Sequence, residues 1–333
     1  MTSEVDLFAV QARVTAATYR SERTFADAMA LLVERCARLR TPGVPALAVF
    51  PEYVATFLAL APLGRLGRVM PSVDAATAAS VLVRPLAFAR ALLRAEPRRP
   101  EIAALLAVGP DVARAYERTF SDLARQSEMT LVAGSALLPG GDGRVYNTSL
   151  TFGPDGSLLG TTRKVNLVWH VEDVLGLSAG RADELPIART PAGRVGTLVC
   201  YDGFAVPHTA HEPAFCAAGE ALAARGAEII ANPAANPWPW DGPWIHRPAG
   251  ATTLRREQWA AEGLRAQLRA MSGARYAITA HLVGAVLDQR FDGRSEILRR
   301  DPDGSVIVVA EADRADAAEI VHARVAHAPE RAP

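Results

Sequence analysis

Residues 146–164, YNTSLTFGPDGSLLGTTRK, hold two β-forming runs joined by Gly153-Pro154-Asp155-Gly156. Proline presets φ and glycine accepts a positive φ, so the chain reverses here into an antiparallel hairpin. The same turn chemistry, Asp301-Pro302-Asp303-Gly304, separates runs at 295–298 and 305–309. Around the hairpins, short apolar runs at 5–10, 46–50, 130–133, 195–199, 228–231 and 276–282 read as strands. Between them, 22–39, 111–125, 213–225 and 252–271 carry helical periodicity. A β-α alternation interrupted by antiparallel hairpins predicts a layered α/β domain rather than a barrel of identical repeats.

The first hairpin ends on Lys164, the only lysine among 36 basic residues. Arginine serves well at an ordinary solvated site, whereas a compact ammonium with rotatable donors suits a tight pocket. The 333 residues are 50% hydrophobic and carry a formal net charge of zero, enough for a sizeable core. No lysine-rich run is present, which argues against nucleic-acid binding, and Arg98-Arg99 and Arg299-Arg300 read as solvated faces. The start, MTSEVDLFAVQA, lacks a basic segment followed by an apolar stretch. No signal peptide is expected from it, and the expected location is cytoplasmic. Cys36, Cys200 and Cys216 show neither metal-ligand spacing nor a disulfide framework, which fits a reducing compartment.

Three chemically capable residues stand just past apolar strands: Glu52 after PALAVFP, Lys164 after the hairpin, and Cys200 after RVGTLV. Ligands gather beyond strand carboxyl ends in open α/β sheets. A thiol nucleophile needs a base, and the carbonyl it attacks needs a cation or donors for the developing oxyanion. Taken singly, a cysteine after a strand is more often an inert buried thiol, and a glutamate there is usually solvated.

Together, AVFPEY (48–53), YNTSLTFGPDGSLLGTTRKVNLV up to and past Lys164, RVGTLVCYD (194–202), ARGAEIIANPAA (224–235), ITAHLVG (278–284) and FDGRSEILRRDPDGSVI (291–307) resemble the nitrilase, or carbon-nitrogen hydrolase, superfamily. The resemblance implies an αββα sandwich that pairs with a second copy into four layers, here as one domain over 1–333. It also implies a Glu-Lys-Cys set: Cys200 as nucleophile, Glu52 as general base and later acid, Lys164 as electrostatic stabiliser. The Tyr201 backbone N–H would share the oxyanion. A second acid lies some eight residues past the lysine in this family, matching Glu172, with Asp173 as competitor. Asp202 in CYD resembles the amidase side of the superfamily rather than the nitrilases. The expected reaction is hydrolysis of a non-peptide amide through a Cys thioester, without metal or organic cofactor. Nitrile hydrolysis, acyl transfer to an amine or hydroxyl, and a noncatalytic binding role are the alternatives. The expected partners are a small-molecule amide or nitrile and further copies of the chain in a homodimer or larger homo-oligomer.

The chain also departs from the family pattern. Residues 54–110 hold VATFLALAPLGRLGRVM and ASVLVRPLAFARALL, too long for a structureless loop, and predict an apolar helical insertion after Glu52. Arg65, Arg68, Arg84 and Arg90 interrupt its apolar runs, which argues against a membrane span, though contact with a lipid surface stays open. The connection after Cys200 brings in His208 and His211, whose spacing suits a metal but lacks further ligands. Asn232 sits in the Asn-Pro segment, and Trp238, Trp240 and Trp244 follow it towards the expected pocket. They would line it for an apolar substrate or cap the core. The stretch 269–273 and His281 replace residues that relatives commonly carry as Arg-Ala-x-Glu-Asn and Asn.

Overall fold

A computed structural model describes residues 3–209, 212, 215–247 and 250–327. His211 and the start of the helix expected at 213–225 lie outside the described residues. The seam of the molecule is the strand Ser3–Thr15. Its first part pairs in parallel with Ala46–Val49 and antiparallel with Glu319–His327, and its last part pairs in parallel with Tyr276–Val286. Outward from Ala46–Val49 lie Thr130–Val132, Val145–Phe152 and Ala136–Pro139. Outward from Tyr276–Val286 lie Ile229–Ala235, Gly193–Thr197 and Ile187–Thr190.

Strand alternation explains the layers. Val5, Leu7 and Ala9 enter a buried cluster with Ile229, Ala231, Ile278 and Ala280, where the two halves of the sheet face each other. Phe8 and Val10 point the other way, onto Phe25 and Met29 of helix Glu22–Leu39 and Phe120 of helix Pro100–Ser127. On the far half, Ile230, Ala277 and Leu298 pack on Leu222, Leu264 and Leu268 of the opposite helices. Helices, sheet, sheet and helices make the expected αββα sandwich. Each such fully buried Phe or Leu contributes about 1.5–3 kcal/mol by area.

Both predicted hairpins form, as Val145–Phe152 with Leu158–Arg163 and Glu296–Arg300 with Val306–Glu311. The helix expected at 252–271 is two, Arg255–Glu262 and Leu264–Ala270, broken where the backbone of Gly263 lies too close to the Trp259 carbonyl for a side chain. The helix expected at 111–125 is Pro100–Ser127, so the end of the expected 54–110 insertion belongs to a core helix. Pro110 lacks an N–H and argues for a helix start. Burial of Ile102, Ala103, Ala104 and Val108 overrides it. Before this helix the chain forms 3-10 turns at Thr56–Leu63 and Leu66–Arg68 and helices Val73–Val83 and Pro85–Arg94. Among the described residues no single helix is long and apolar enough to cross a membrane.

Candidate active site

Glu52 follows strand Ala46–Val49, Lys164 follows Leu158–Arg163, and Cys200 opens the 3-10 turn Cys200–Gly203 just beyond Gly193–Thr197. The three strand ends meet at one buried point. Tyr53 and Cys200 hold positive φ values of 60° and 50°, a conformation uncommon for side-chain-bearing residues. At Cys200 the chain turns sharply out of the sheet. At Tyr53 the turn is fixed by its N–H donating to Ser135 Oγ at 3.0 Å.

Lys164 Nζ lies 2.7 Å from Glu52 Oε1 and 2.7 Å from Glu172 Oε2, and all three side chains are 1% exposed. Asn147 Nδ2 donates to Glu52 Oε1 at 2.8 Å and to Glu172 Oε1 at 3.0 Å, joining the carboxylates from the other side. Glu172 also accepts from the Tyr53 hydroxyl and from the Val168 N–H. Asp173, the competing acid, is only half-buried and takes no part in this network. The Cys200 thiol donates to the Ala235 carbonyl at 3.6 Å, and the Glu52 carboxylate lies near enough to act on its charge.

Burial pushes the Glu52 carboxyl up to about 7, against the pull of Lys164 and with a further push from Glu172. Burial acts on Glu172 in the same direction, but Lys164, Tyr53 and the Val168 N–H hold it below the ordinary carboxylate value. Desolvation disfavours the Lys164 ammonium, yet the two carboxylates keep it charged and well above its usual value. Burial, then the neighbouring Glu52 charge, raises the Cys200 thiol well above its ordinary range. At rest the site therefore holds a protonated thiol beside a carboxylate poised near neutrality.

Asp202 lies beside this cluster and braces its backbone. Its carboxylate accepts the N–H groups of Val165, Asn166 and Val199, tying the segment after Lys164 to the turn that carries Cys200. Asn232 Nδ2 donates to the Leu198 and Cys200 carbonyls and braces the same turn. The Tyr201 side chain is buried and donates to Glu212. Trp238 and Trp244 meet edge to face at 5.3 Å, and His208 stacks on Tyr201 at 4.0 Å. His281 is buried between Trp240 and Trp259, and neither ring nitrogen is hydrogen-bonded among the described residues. No group of three or more metal-binding side chains occurs among the described residues. Sequence reasoning gave no role to Asn147 or Arg255. A polar residue in the fully buried strand Val145–Phe152 was the available signal for Asn147, and an arginine in an arginine-rich chain gave none for Arg255.

Residues 32–327 match the family described as carbon-nitrogen hydrolase. Among curated proteins, the chain is 31% identical over 153 residues to a nitrilase of Paraburkholderia phymatum, covering 43% of each. It is 34% identical over 125 residues to an omega-amidase of Mus musculus, covering 34% of this chain and 40% of that one. The matched stretches thus span less than half the length of either relative. Among solved structures, a carbon-nitrogen hydrolase from Helicobacter pylori G27 superposes with a TM-score of 0.62 at 18% identity, over 97% of this chain and 88% of that one. An amidase from Nesterenkonia sp. gives 0.60 at 18% identity over 97% and 90%. At that identity the likeness concerns the fold.

Proposed function

The chain belongs to the carbon-nitrogen hydrolase family, and from that premise we propose that it hydrolyses the C–N bond of a small non-peptide amide through a thioester on Cys200. The observation that carries this reading is the buried Glu52–Lys164–Glu172 cluster beside the buried Cys200 thiol. Glu52 takes the thiol proton as sulfur attacks the amide carbon. The developing oxyanion is held by Lys164 and by the Tyr201 N–H, which has no backbone acceptor among the described residues. Collapse of the tetrahedral intermediate breaks the C–N bond, and Glu52 returns its proton to the leaving ammonia or amine. A water, deprotonated by Glu52, then attacks the thioester, releasing the acid and restoring the thiol. A base with a pKa near the working pH suits both transfers.

A homodimer and a reducing, cytoplasmic setting belong to the same reading, the latter supported by three free cysteines.

The test is mass spectrometry after brief exposure to a panel of amides and nitriles, with an added amine in parallel and an acid quench. An acyl mass on Cys200, absent from folded Cys200→Ala, is the expected result. Turnover that persists in Cys200→Ala removes the thioester from the mechanism. Acyl transfer to the added amine in preference to water converts the hydrolase into a transferase.

A further inference from the structure

The charges of this chain cancel, 36 acidic against 36 basic residues, but they do not cancel locally. Residues 75–95 contain no acid and carry Arg84, Arg90 and Arg94; Arg98 and Arg99 follow a single acid, Glu96. This run folds as helices Val73–Val83 and Pro85–Arg94, which meet at 105°. Each helix is about 15 Å long, half of what a bilayer's hydrocarbon core requires, and the bend prevents the pair from acting as one span. The elbow is fastened from within. Ala76 and Ser80 of the first helix and Ala91 of the second are buried, and Phe88 packs against the cluster that holds Ile102 and Leu177.

Its outer face is a different surface. Leu86 and Leu93, seven residues apart, share the side of the helix opposite Ala91, and both are strongly exposed, as are Leu82 and Val83 at the bend. Arg90 and Arg94, four apart and exposed, run along the flank of that side. They line a groove of about 640 Å³ shared with Leu106 and Ala107 of the next helix and the turn at 139–143. Acids near this helix are engaged: Asp111 with Arg84 and Arg114, and Asp142 with the Tyr146 hydroxyl at 2.7 Å. Among the described residues neither Arg90 nor Arg94 forms an ion pair.

An apolar face this exposed marks a contact surface, and its charge decides what fits. A second copy seated on the same face would set arginines against arginines. An anionic bilayer instead offers apolar depth to the leucines and phosphates to the guanidinium groups, whose planar fork binds phosphate oxygens in pairs.

We propose that this elbow docks the protein on the surface of an anionic lipid bilayer. Leu82, Leu86 and Leu93 enter the acyl boundary while Arg90 and Arg94 meet headgroup phosphates, for which the groove beside them has room. The helices lie in the surface and do not cross it. The docked elbow is a packed neighbour of the candidate site, because its buried cluster includes Leu177 and touches Leu167, which flank the turn carrying Glu172. Arg99 also holds the Val174 carbonyl of that turn at 2.7 Å. The proposal goes beyond the reaction assigned to Cys200 and needs no substrate for its test.

The test is co-sedimentation of the full chain with vesicles of phosphatidylcholine alone and of phosphatidylcholine with about 30% phosphatidylglycerol, in about 0.1 M salt. Binding to the anionic vesicles should be about tenfold tighter or more, and should weaken about tenfold when salt is raised to about 0.5 M. Leu82→Glu, Leu86→Glu and Leu93→Glu together should abolish binding, with circular dichroism and melting temperature showing that the variant stays folded. Arg90→Gln with Arg94→Gln should weaken binding to anionic vesicles about tenfold and leave binding to neutral ones unchanged, which decides the matter if the leucine variant loses its fold. No binding of the unmodified protein to anionic vesicles overturns the proposal, as does equal binding to both kinds. Binding that survives in the folded leucine variant also overturns it, since another surface then does the docking. A stable dimer that the leucine substitutions dissolve, without vesicle binding, assigns the face to a second copy and overturns it as well.

Discussion

Glu52 and Glu172 are the same residue type on the same ammonium, yet their surroundings push them apart. Glu172 receives donors from Lys164, Tyr53, Asn147 and the Val168 backbone and stays ionised. Glu52 has fewer donors and an acidic neighbour, and sits near 7. In the proposed mechanism such a pair divides the labour into a fixed charge and a proton carrier. In that mechanism Glu52 accepts the thiol proton only when ionised, so kcat/KM should rise with pH through a midpoint of about 7, measured in a pH–rate profile. The Glu172 charge helps raise that value, so Glu172→Gln should move the midpoint to lower pH while kcat falls about 100-fold. An unmoved midpoint would show that Glu172 does not face the base. Removing one partner of this buried ion cluster should also cost about 3–5 kcal/mol of stability, read from denaturant unfolding.

Elements matter here through their ends. Glu52 is held where the chain after strand Ala46–Val49 passes under the end of Thr130–Val132. At that crossing Gly134 has φ of +74° and leaves only 2.1 Å between a built Cβ and the Pro51 carbonyl. Gly134→Ala should therefore destabilise by about 2 kcal/mol or more, and should lower kcat by displacing Glu52. Full activity in that variant would mean the crossing is adaptable. Asp202 plays the corresponding part for the other two residues, since one carboxylate binds N–H groups from both the Lys164 segment and the Cys200 turn. Asp202→Asn keeps the volume but replaces one acceptor oxygen with a donor. A loss of about 1–3 kcal/mol in thermal or chemical unfolding is expected, with a lower kcat and little change in the pH midpoint.

Across the molecule, the apolar surface is concentrated on the helical insertion. Leu82, Leu86 and Leu93 are 81%, 75% and 80% exposed, whereas Ala91 and Ala95 beside them are buried. The helices thus hold to the body by small residues and leave leucines outward. Replacing those three leucines together by Glu should change the unfolding free energy by no more than about 1–2 kcal/mol. Light scattering should show less association at high concentration. A large drop in melting temperature would mean that these leucines support the fold.

The sequence alone determined the β-α alternation, both Pro-Asp-Gly hairpins and the positions of Glu52, Lys164 and Cys200, because strand periodicity and turn chemistry are local. It also marked Lys164 by composition. It did not give the strand Glu319–His327, whose nine-residue pairing with Ser3–Gln11 joins the two ends of the described chain. Nor did it give the true start of helix Pro100–Ser127, where burial outweighed a proline. Choosing Glu172 over Asp173 took the fold, since adjacent residues in a turn point to opposite sides and only one meets Lys164. Asn147 bridging two carboxylates and Arg255 buried among aromatic rings are likewise products of tertiary structure. Burial and pairing are relations between distant segments, and a residue's own letter carries neither.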